Sequence, residues 1–214
     1  MSAVVTVHLL RHGEVHNPDR VLYGRLPGYR LSALGERQAA HAATWLAARG
    51  DIGYLVASPL ERAQQTAAPL AAATGLEIAT DDRLIEAGNE LEGRQVAGGK
   101  GLLSDPSNWK YFRNPLRPSW GEPYEQIAER VLAAAHAARD RAAKAGGAAV
   151  CVSHQLPIVT ARRRVEGQHL FHDPRKRQCA LASVTSLTFD GDTVVRVDYA
   201  EPAADLPAGE GLGA

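Results

Sequence analysis

Residues Ala3 to Leu10 read AVVTVHLL, a nearly unbroken apolar run that stops at the charged triplet Arg11-His12-Gly13. The run is too short for an ordinary helix and is rich in β-branched valine, so it reads as a strand. A strand with almost no polar alternation must be covered on both faces, which calls for helices above and below its sheet. Ala148 to Val152 is a second such run, and alanine-rich helical stretches lie between and after the two. This alternation predicts an α/β fold, a three-layer α/β/α sandwich with a mostly parallel central sheet.

Local signals mark the boundaries. Ser32 is placed to cap a helix from about Ala33 to Arg49, with Leu34, Ala42, Trp45 and Leu46 on one face and Gly50 as the stop. Tyr54 to Ala57 is a short strand. Ser58-Pro59 opens a second helix that reaches Thr74 before Gly75, proline costing little in a first turn whose N–H groups lack partners. Periodicity then dissolves between Ile85 and Glu122, where Gly98-Gly99, Trp109, Tyr111, Phe112, Pro115, Pro118 and Trp120 occur. So long an irregular stretch predicts a functional cap at about 87–122, with its aromatics packing the cap. Pro123 starts a long helix with Ile127, Val131, Ala135, Ala138 and Ala142 as its stripe, ended by Gly146-Gly147. A helix near Leu156 to Val165 follows the Ala148 strand, and Leu181 to Phe189 and Thr193 to Tyr199 form a hairpin turning at Asp190-Gly191. Residues 1–200 form one domain, and 201–214, with three acids and no base, read as a loosely held acidic tail.

The 214 residues carry 24 basic and 24 acidic side chains, a net charge of zero with the histidines neutral. That balance argues against a nucleic-acid or membrane-surface binder, and no apolar run approaches the roughly 18 residues of a membrane span. The opening Met1-Ser2-Ala3-Val4-Val5 lacks a basic leader and cleavage site. Cys151 and Cys179 are too few for a disulfide framework, so the expected compartment is cytoplasmic. Neither cysteine has metal-ligand spacing, and no metal or other cofactor is expected.

The chemistry gathers where strands end, the place at which open parallel sheets bind ligands. Arg11 and His12 follow the first strand, His154 follows Ala148 to Val152, and Arg62 lies in the first turns of the helix after Tyr54 to Ala57. Two arginines and two histidines suit a phosphate. Arginine offers a planar fork of donors, helix N-termini add oriented N–H groups, and imidazole can be a donor or a nucleophile.

Leu10-Arg11-His12-Gly13-Glu14-Val15-His16-Asn17 resembles the RHGxxxN signature of the histidine phosphatase superfamily, the phosphoglycerate mutase-like family. The resemblance continues through Gly24-Arg25, Leu31-Ser32 and Gly35, Ser58-Pro59-Leu60-Glu61-Arg62, Leu84-Ile85-Glu86, and Val152-Ser153-His154. It implies the phosphoglycerate mutase-like fold and a phosphohistidine formed on His12. Arg11, Arg62 and His154 would hold the phosphoryl oxygens, Asn17 would add a polar contact, and Glu86 would protonate the leaving oxygen and then activate water. Arginines and a protonated histidine can supply the charge that phosphoryl transfer needs, so no metal is implied. His12 must be neutral, its tautomer fixed by a backbone carbonyl, and Glu86 must hold a proton near neutral pH.

The implied activity is hydrolysis of a small phosphorylated metabolite, an acid phosphatase-type reaction. Mutases of the family carry an Arg-His-Tyr-Gly run after the acid, where this chain has Ala87-Gly88-Asn89-Glu90. Phosphoglycerate mutation and non-catalytic binding of a phosphorylated ligand are the alternatives. Glu90 and Glu92 compete with Glu86 for the acid. Gln155, where the family usually has glycine, either reaches the pocket or caps the next helix. Asn17 precedes Pro18 and can equally be a turn residue. His169 and His172 lack further metal ligands. Arg162, Arg163, Arg164, Arg175, Lys176 and Arg177 face only Glu166 and Asp173 nearby in the sequence; they form a solvated face, or Arg175 to Arg177 reach the pocket rim and favour a second acidic group on the substrate.

Overall fold

The strand β1 (Val4–Arg11) is buried from Val7 to its end, as its apolar run demands. The computed structural model describes residues 4–95 and 121–206. After β1 come α1 (Ala33–Ala47), β2 (Ile52–Ala57), α2 (Glu61–Thr74), β3 (Ala79–Thr80), α3 (Tyr124–Ala145), β4 (Ala148–Ser153), α4 (Gln155–Val165), β5 (Val184–Asp190) and β6 (Thr193–Ala200). They build one mixed sheet in the order β3-β2-β4-β1-β5-β6. The first four strands in that order are mutually parallel, and β5 and β6 close one side as an antiparallel hairpin.

Side chains alternate between the two faces of β1 and so divide the core into two apolar layers. Val5, Val7 and Leu9 pack with Ile127, Val131 and Ala135 of α3 and Ile158 of α4. Leu10 packs on the other face with Ala42 and Leu46 of α1 and Ala63 and Leu70 of α2. The three-layer expectation holds. The small alanine faces let helix backbones approach the sheet closely, and β4 is buried at all six positions.

Several boundaries differ from the sequence reading for local reasons. Ser32 caps α1 as expected, accepting from Gly35 N–H at 3.0 Å, but the helix stops at Ala47 rather than Arg49. Leu34 and Trp45 are only half-buried. α2 begins at Glu61 behind Leu60, so Pro59 lies outside its first turn. β5 starts at Val184 instead of Leu181 because Ala182 turns the chain at φ 54°. Asp190 pairs with Thr193, so the hairpin's central residues are Gly191 and Asp192, with Gly191 at φ 56°. The strand β3 was not expected.

The start of the expected loose tail is docked. Ala203 is buried, Leu206 packs on the α1/α2 layer, and Asp205 lies 3.4 Å from His41. Residues 207–214 lie outside the described residues. So do residues 96–120 of the cap expected at about 87–122, with Gly98-Gly99, Trp109, Tyr111, Phe112, Pro115, Pro118 and Trp120. The described residues on either side form single bridges, Val21 to Gln95 and Asn89 to Gly121.

Candidate active site

Sheet register brings the site together. Arg11 at the end of β1 pairs with Ser153 at the end of β4, and the next residue continues the ladder through His12 N–H to Ser153 C=O at 3.1 Å. His12 and His154 thereby emerge side by side, their ring centroids 5.1 Å apart. On the other side of β4, Ser58 follows β2 and donates from its N–H to Val152 C=O at 2.9 Å. That aligns Ser58 Oγ with His154 Nε2 at 2.8 Å. Three adjacent strand ends thus present His12, His154 and Ser58 in a row.

The turn after β1 is held by close backbone packing. A Cβ on Gly13 would strike the carbonyl of Gly35, and one on Gly35 would strike that of Glu14. Gly13 N–H donates to Thr66 Oγ1 at 3.2 Å, and Thr66 Oγ1 donates to Arg62 C=O at 2.7 Å. The His12 loop and the first turns of α2 are therefore one unit. α2 and α4 both start without a side-chain cap. Arg62 lies in the first turn of one and His154 is the N-cap residue of the other, where the helix dipole favours an anion.

His12 Nδ1 donates to its neighbour's carbonyl, Gly13 C=O, at 2.7 Å, which leaves Nε2 with the lone pair. Burial, then Arg62 and Arg11, hold its pKa well below the usual histidine value, so the ring is neutral as expected. His154 is also pushed well below that value, by burial and then by Arg62, His12 and Arg11. This ring is neutral too, where a protonated one was expected. Ser58 Oγ accepts from Leu60 N–H at 3.4 Å and can donate its own proton to a neutral His154 Nε2. In that tautomer the Nδ1 of His154 carries the ring proton and can donate without a positive charge.

Arg11 Nη1 donates to Cys179 C=O at 2.6 Å. Arg62 Nη2 donates to Gly24 C=O at 2.6 Å, and its guanidinium lies 4.7 Å from the centre of the Tyr23 ring. Each contact aims the guanidinium while leaving other N–H groups available. Glu86 is 4% exposed, and burial raises its carboxyl pKa against the opposing pull of Ala87 N–H, Arg62, Arg11 and Arg177. Glu86 Oε1 accepts from Ala87 N–H at 2.8 Å.

Among the described residues, the buried side-chain nitrogens and oxygens without a partner are Nε of Arg11 and Arg62, Nε2 of His12, Nδ1 of His154, Oε2 of Glu86, and two atoms elsewhere, His8 Nε2 and Thr185 Oγ1. Buried polar atoms normally find partners, because leaving one unpaired costs roughly 1–3 kcal/mol. All five residues expected to be catalytic contribute one. They are also coupled electrostatically, His12 and His154 each feeling Arg11 and Arg62, and Glu86 feeling both arginines.

The remaining expected residues are placed differently. Asn17 brackets its own turn, its amide donating to Val21 C=O at 2.9 Å and accepting from Val21 N–H at 3.0 Å. It lines a cavity beside Arg11 and Tyr23, but these amide bonds go to backbone. Gln155 opens α4, and its Oε1 accepts from Arg177 at 3.2 Å. Glu90 is exposed, and Glu92 Oε1 accepts from Arg25 N–H at 3.0 Å, so Glu86 is the buried carboxyl of the three. His172 uses both ring nitrogens, on Leu170 C=O at 2.6 Å and Arg177 Nε at 2.9 Å. Half of the basic segment is matched by carboxylates: Arg162 to Glu166, Arg164 to Glu125, and Arg175 to Asp173.

Two positioning features escaped the sequence reading. Ser58 appeared as a helix opener, although it stands in the matched Ser58-Pro59 block. Glu86 is also clamped by residues remote in sequence. Arg25 Nε donates to Glu86 C=O at 2.7 Å and Arg130 Nη1 to Ile85 C=O at 2.7 Å. Glu122 accepts from both arginines, and Ser153 Oγ ties the preceding Leu84 C=O at 2.7 Å.

This α/β sandwich gathers two arginines, two histidines and a buried carboxyl at its parallel strand ends, donors of the kind that suit a compact anion. The chain matches the histidine phosphatase superfamily (branch 1) over residues 7–201 and belongs to it. An uncharacterised protein of Mycobacterium tuberculosis is 57% identical over 204 residues, 95% of this chain and 100% of its own. A Yersinia enterocolitica protein named "probable phosphoglycerate mutase GpmB" is 32% identical over 189 residues, 85% of each chain. Among solved structures, mycobacterial glucosyl-3-phosphoglycerate phosphatase matches with TM-score 0.73 at 25% identity, over 92% of this chain and 97% of that one. The same phosphatase has also been solved with inorganic phosphate.

Proposed function

We propose that the chain is a phosphatase that hydrolyses a small phosphomonoester through a phosphohistidine on His12. In the first step His12 Nε2 attacks phosphorus, the bond from phosphorus to the ester oxygen breaks, and Glu86 gives its proton to that oxygen. In the second, water attacks the phosphohistidine, Glu86 takes the water's proton, and the P–N bond breaks to release phosphate. Arg11, Arg62 and the Nδ1–H of His154 hold the equatorial oxygens throughout. The charge that develops there meets donors already in place, so little reorganisation is needed. Asn17 shapes the rim through its turn, and Gln155 acts through Arg177. The chemistry requires neither a metal nor an organic cofactor.

The observation that carries this reading is the set of unpaired buried atoms contributed by Arg11, His12, Arg62, Glu86 and His154. The solved glucosyl-3-phosphoglycerate phosphatase supports it by likeness. The GpmB relative favours a second reading, a phosphoglycerate mutase that returns the phosphoryl group to a rotated substrate.

Two assays separate the readings. Wild type should release phosphate from p-nitrophenyl phosphate, and His12→Ala should abolish that release; equal activity in the two proteins refutes the phosphohistidine. With 3-phosphoglycerate and catalytic bisphosphoglycerate, rapid 2-phosphoglycerate formation without phosphate release would replace hydrolysis by mutation.

A further inference from the structure

Arg177 stands apart from the other cations of its segment. Arg175 pairs with Asp173 at 2.9 Å and is exposed, and Lys176 is exposed. Arg177 turns inward. Its Nε donates to His172 Nε2 at 2.9 Å and its Nη1 to Gln155 Oε1 at 3.2 Å, both neutral acceptors. Among the described residues no carboxylate lies within ion-pair distance of it. Burial is strong enough to lower its pKa. Arg177 is half-buried, and a partly desolvated cation whose side-chain partners are neutral favours an incoming anion.

The place of Arg177 says which part of a ligand supplies that anion. Arg177, Glu86, Gly88, Asn89, Glu122 and Tyr124 line one cleft of about 140 Å³. Glu122 is matched by Arg25 and Arg130. Glu86 feels Arg177 and is held toward its protonated form by burial. Among the described residues the unmatched charge of this cleft is therefore positive and sits on the Glu86 side. Arg11 and Arg62 serve the phosphoryl group, whereas Glu86 serves the ester oxygen, so a group in its cleft belongs to the leaving alcohol. Two of the five N–H groups of Arg177 are used, and the others include a pair on the guanidinium edge suited to carboxylate.

We infer that Arg177, aimed by His172 and Gln155, reads a carboxylate on the leaving alcohol, making the preferred substrates phosphomonoesters of hydroxy acids. This rests on the phosphatase reading above. His172 is a positioning residue: with Nδ1 donating to Leu170 C=O, its Nε2 is fixed as the acceptor for Arg177. The tertiary structure therefore narrows the three-residue basic cluster to one side chain.

The test compares 3-phosphoglycerate with glycerol 3-phosphate, which keeps the carbon skeleton and lacks the carboxylate. Wild type should consume 3-phosphoglycerate with the higher kcat/KM. In Arg177→Gln the ratio of the two kcat/KM values should fall at least tenfold, mostly through KM. Arg177→Lys should restore part of the ratio. His172→Phe, which keeps a ring but removes the acceptor, should lower it roughly threefold or more and serves as the second variant if Arg177→Gln does not fold. A wild-type ratio near one, or parallel losses on both substrates in these variants, overturns the assignment. Absence of His12-dependent turnover on p-nitrophenyl phosphate would instead overturn the phosphatase reading, so the two failures are distinct.

Discussion

His8 offers a test of the buried electrostatics that does not involve the catalytic pocket. It sits in the middle of β1, fully buried, with Nδ1 at 2.8 Å from Ser186 Oγ and Nε2 unpaired. Burial first, and then Arg49, lower its pKa from 6.5 to about 4, Asp51 opposing. A histidine whose folded pKa is depressed binds its proton more readily in the unfolded chain. Stability is therefore full above the unfolded pKa and is lost as pH falls from 6.5 toward 4. From those two values, linkage gives a loss relative to pH 7 of about 0.7 kcal/mol at pH 6 and about 2 kcal/mol at pH 5. The assay is urea unfolding at pH 7, 6 and 5, followed by far-ultraviolet circular dichroism. His8→Asn cannot protonate; it should start less stable at pH 7 through lost packing, but lose about 2 kcal/mol less than wild type between pH 7 and 5. The slope that remains belongs partly to His12 and His154, whose pKa values are lowered in the same sense. Equal pH dependence in wild type and His8→Asn would refute the reasoning, because His8 would then bind protons equally well in both states.

Three further perturbations address the site. Glu86→Gln should cut turnover of alkyl phosphates by about 10²–10⁴ and spare the first step with p-nitrophenyl phosphate, whose leaving group needs no proton; in wild type, alkyl ester cleavage should fall as pH rises through the raised Glu86 pKa. Equal losses on both substrates, read by burst kinetics, would contradict the acid role. Ser58→Ala removes the partner of His154 Nε2, and should cost about 1–3 kcal/mol in urea unfolding and roughly tenfold or more in kcat/KM. Gly35→Ala drives a Cβ into the Glu14 carbonyl and should destabilise by about 1–3 kcal/mol while displacing the His12 loop, measured as a lower melting temperature with reduced turnover.

The amino-acid order alone was enough for the α/β alternation, the two buried strand runs, the Ser32 cap and the placement of Arg11, His12, Arg62 and His154 at strand ends or helix starts. These depend on local periodicity and capping, which act over a few residues. Among Glu86, Glu90 and Glu92 the fold buries Glu86 alone, a difference that three acids in one irregular stretch do not show in sequence. Asn17, readable in sequence as a ligand contact or a turn residue, bonds Val21 of its own turn. Arg175, Lys176 and Arg177 read alike in sequence, yet Arg177 alone turns inward, because His172 and Gln155 meet it there. The partners that set the chemistry lie far apart along the chain: Arg11 with Cys179, His154 with Ser58, and Glu86 C=O with Arg25. Strand order and register decide those meetings. Both follow from how two apolar layers fill around the sheet, a property of the whole packed chain that no short stretch contains.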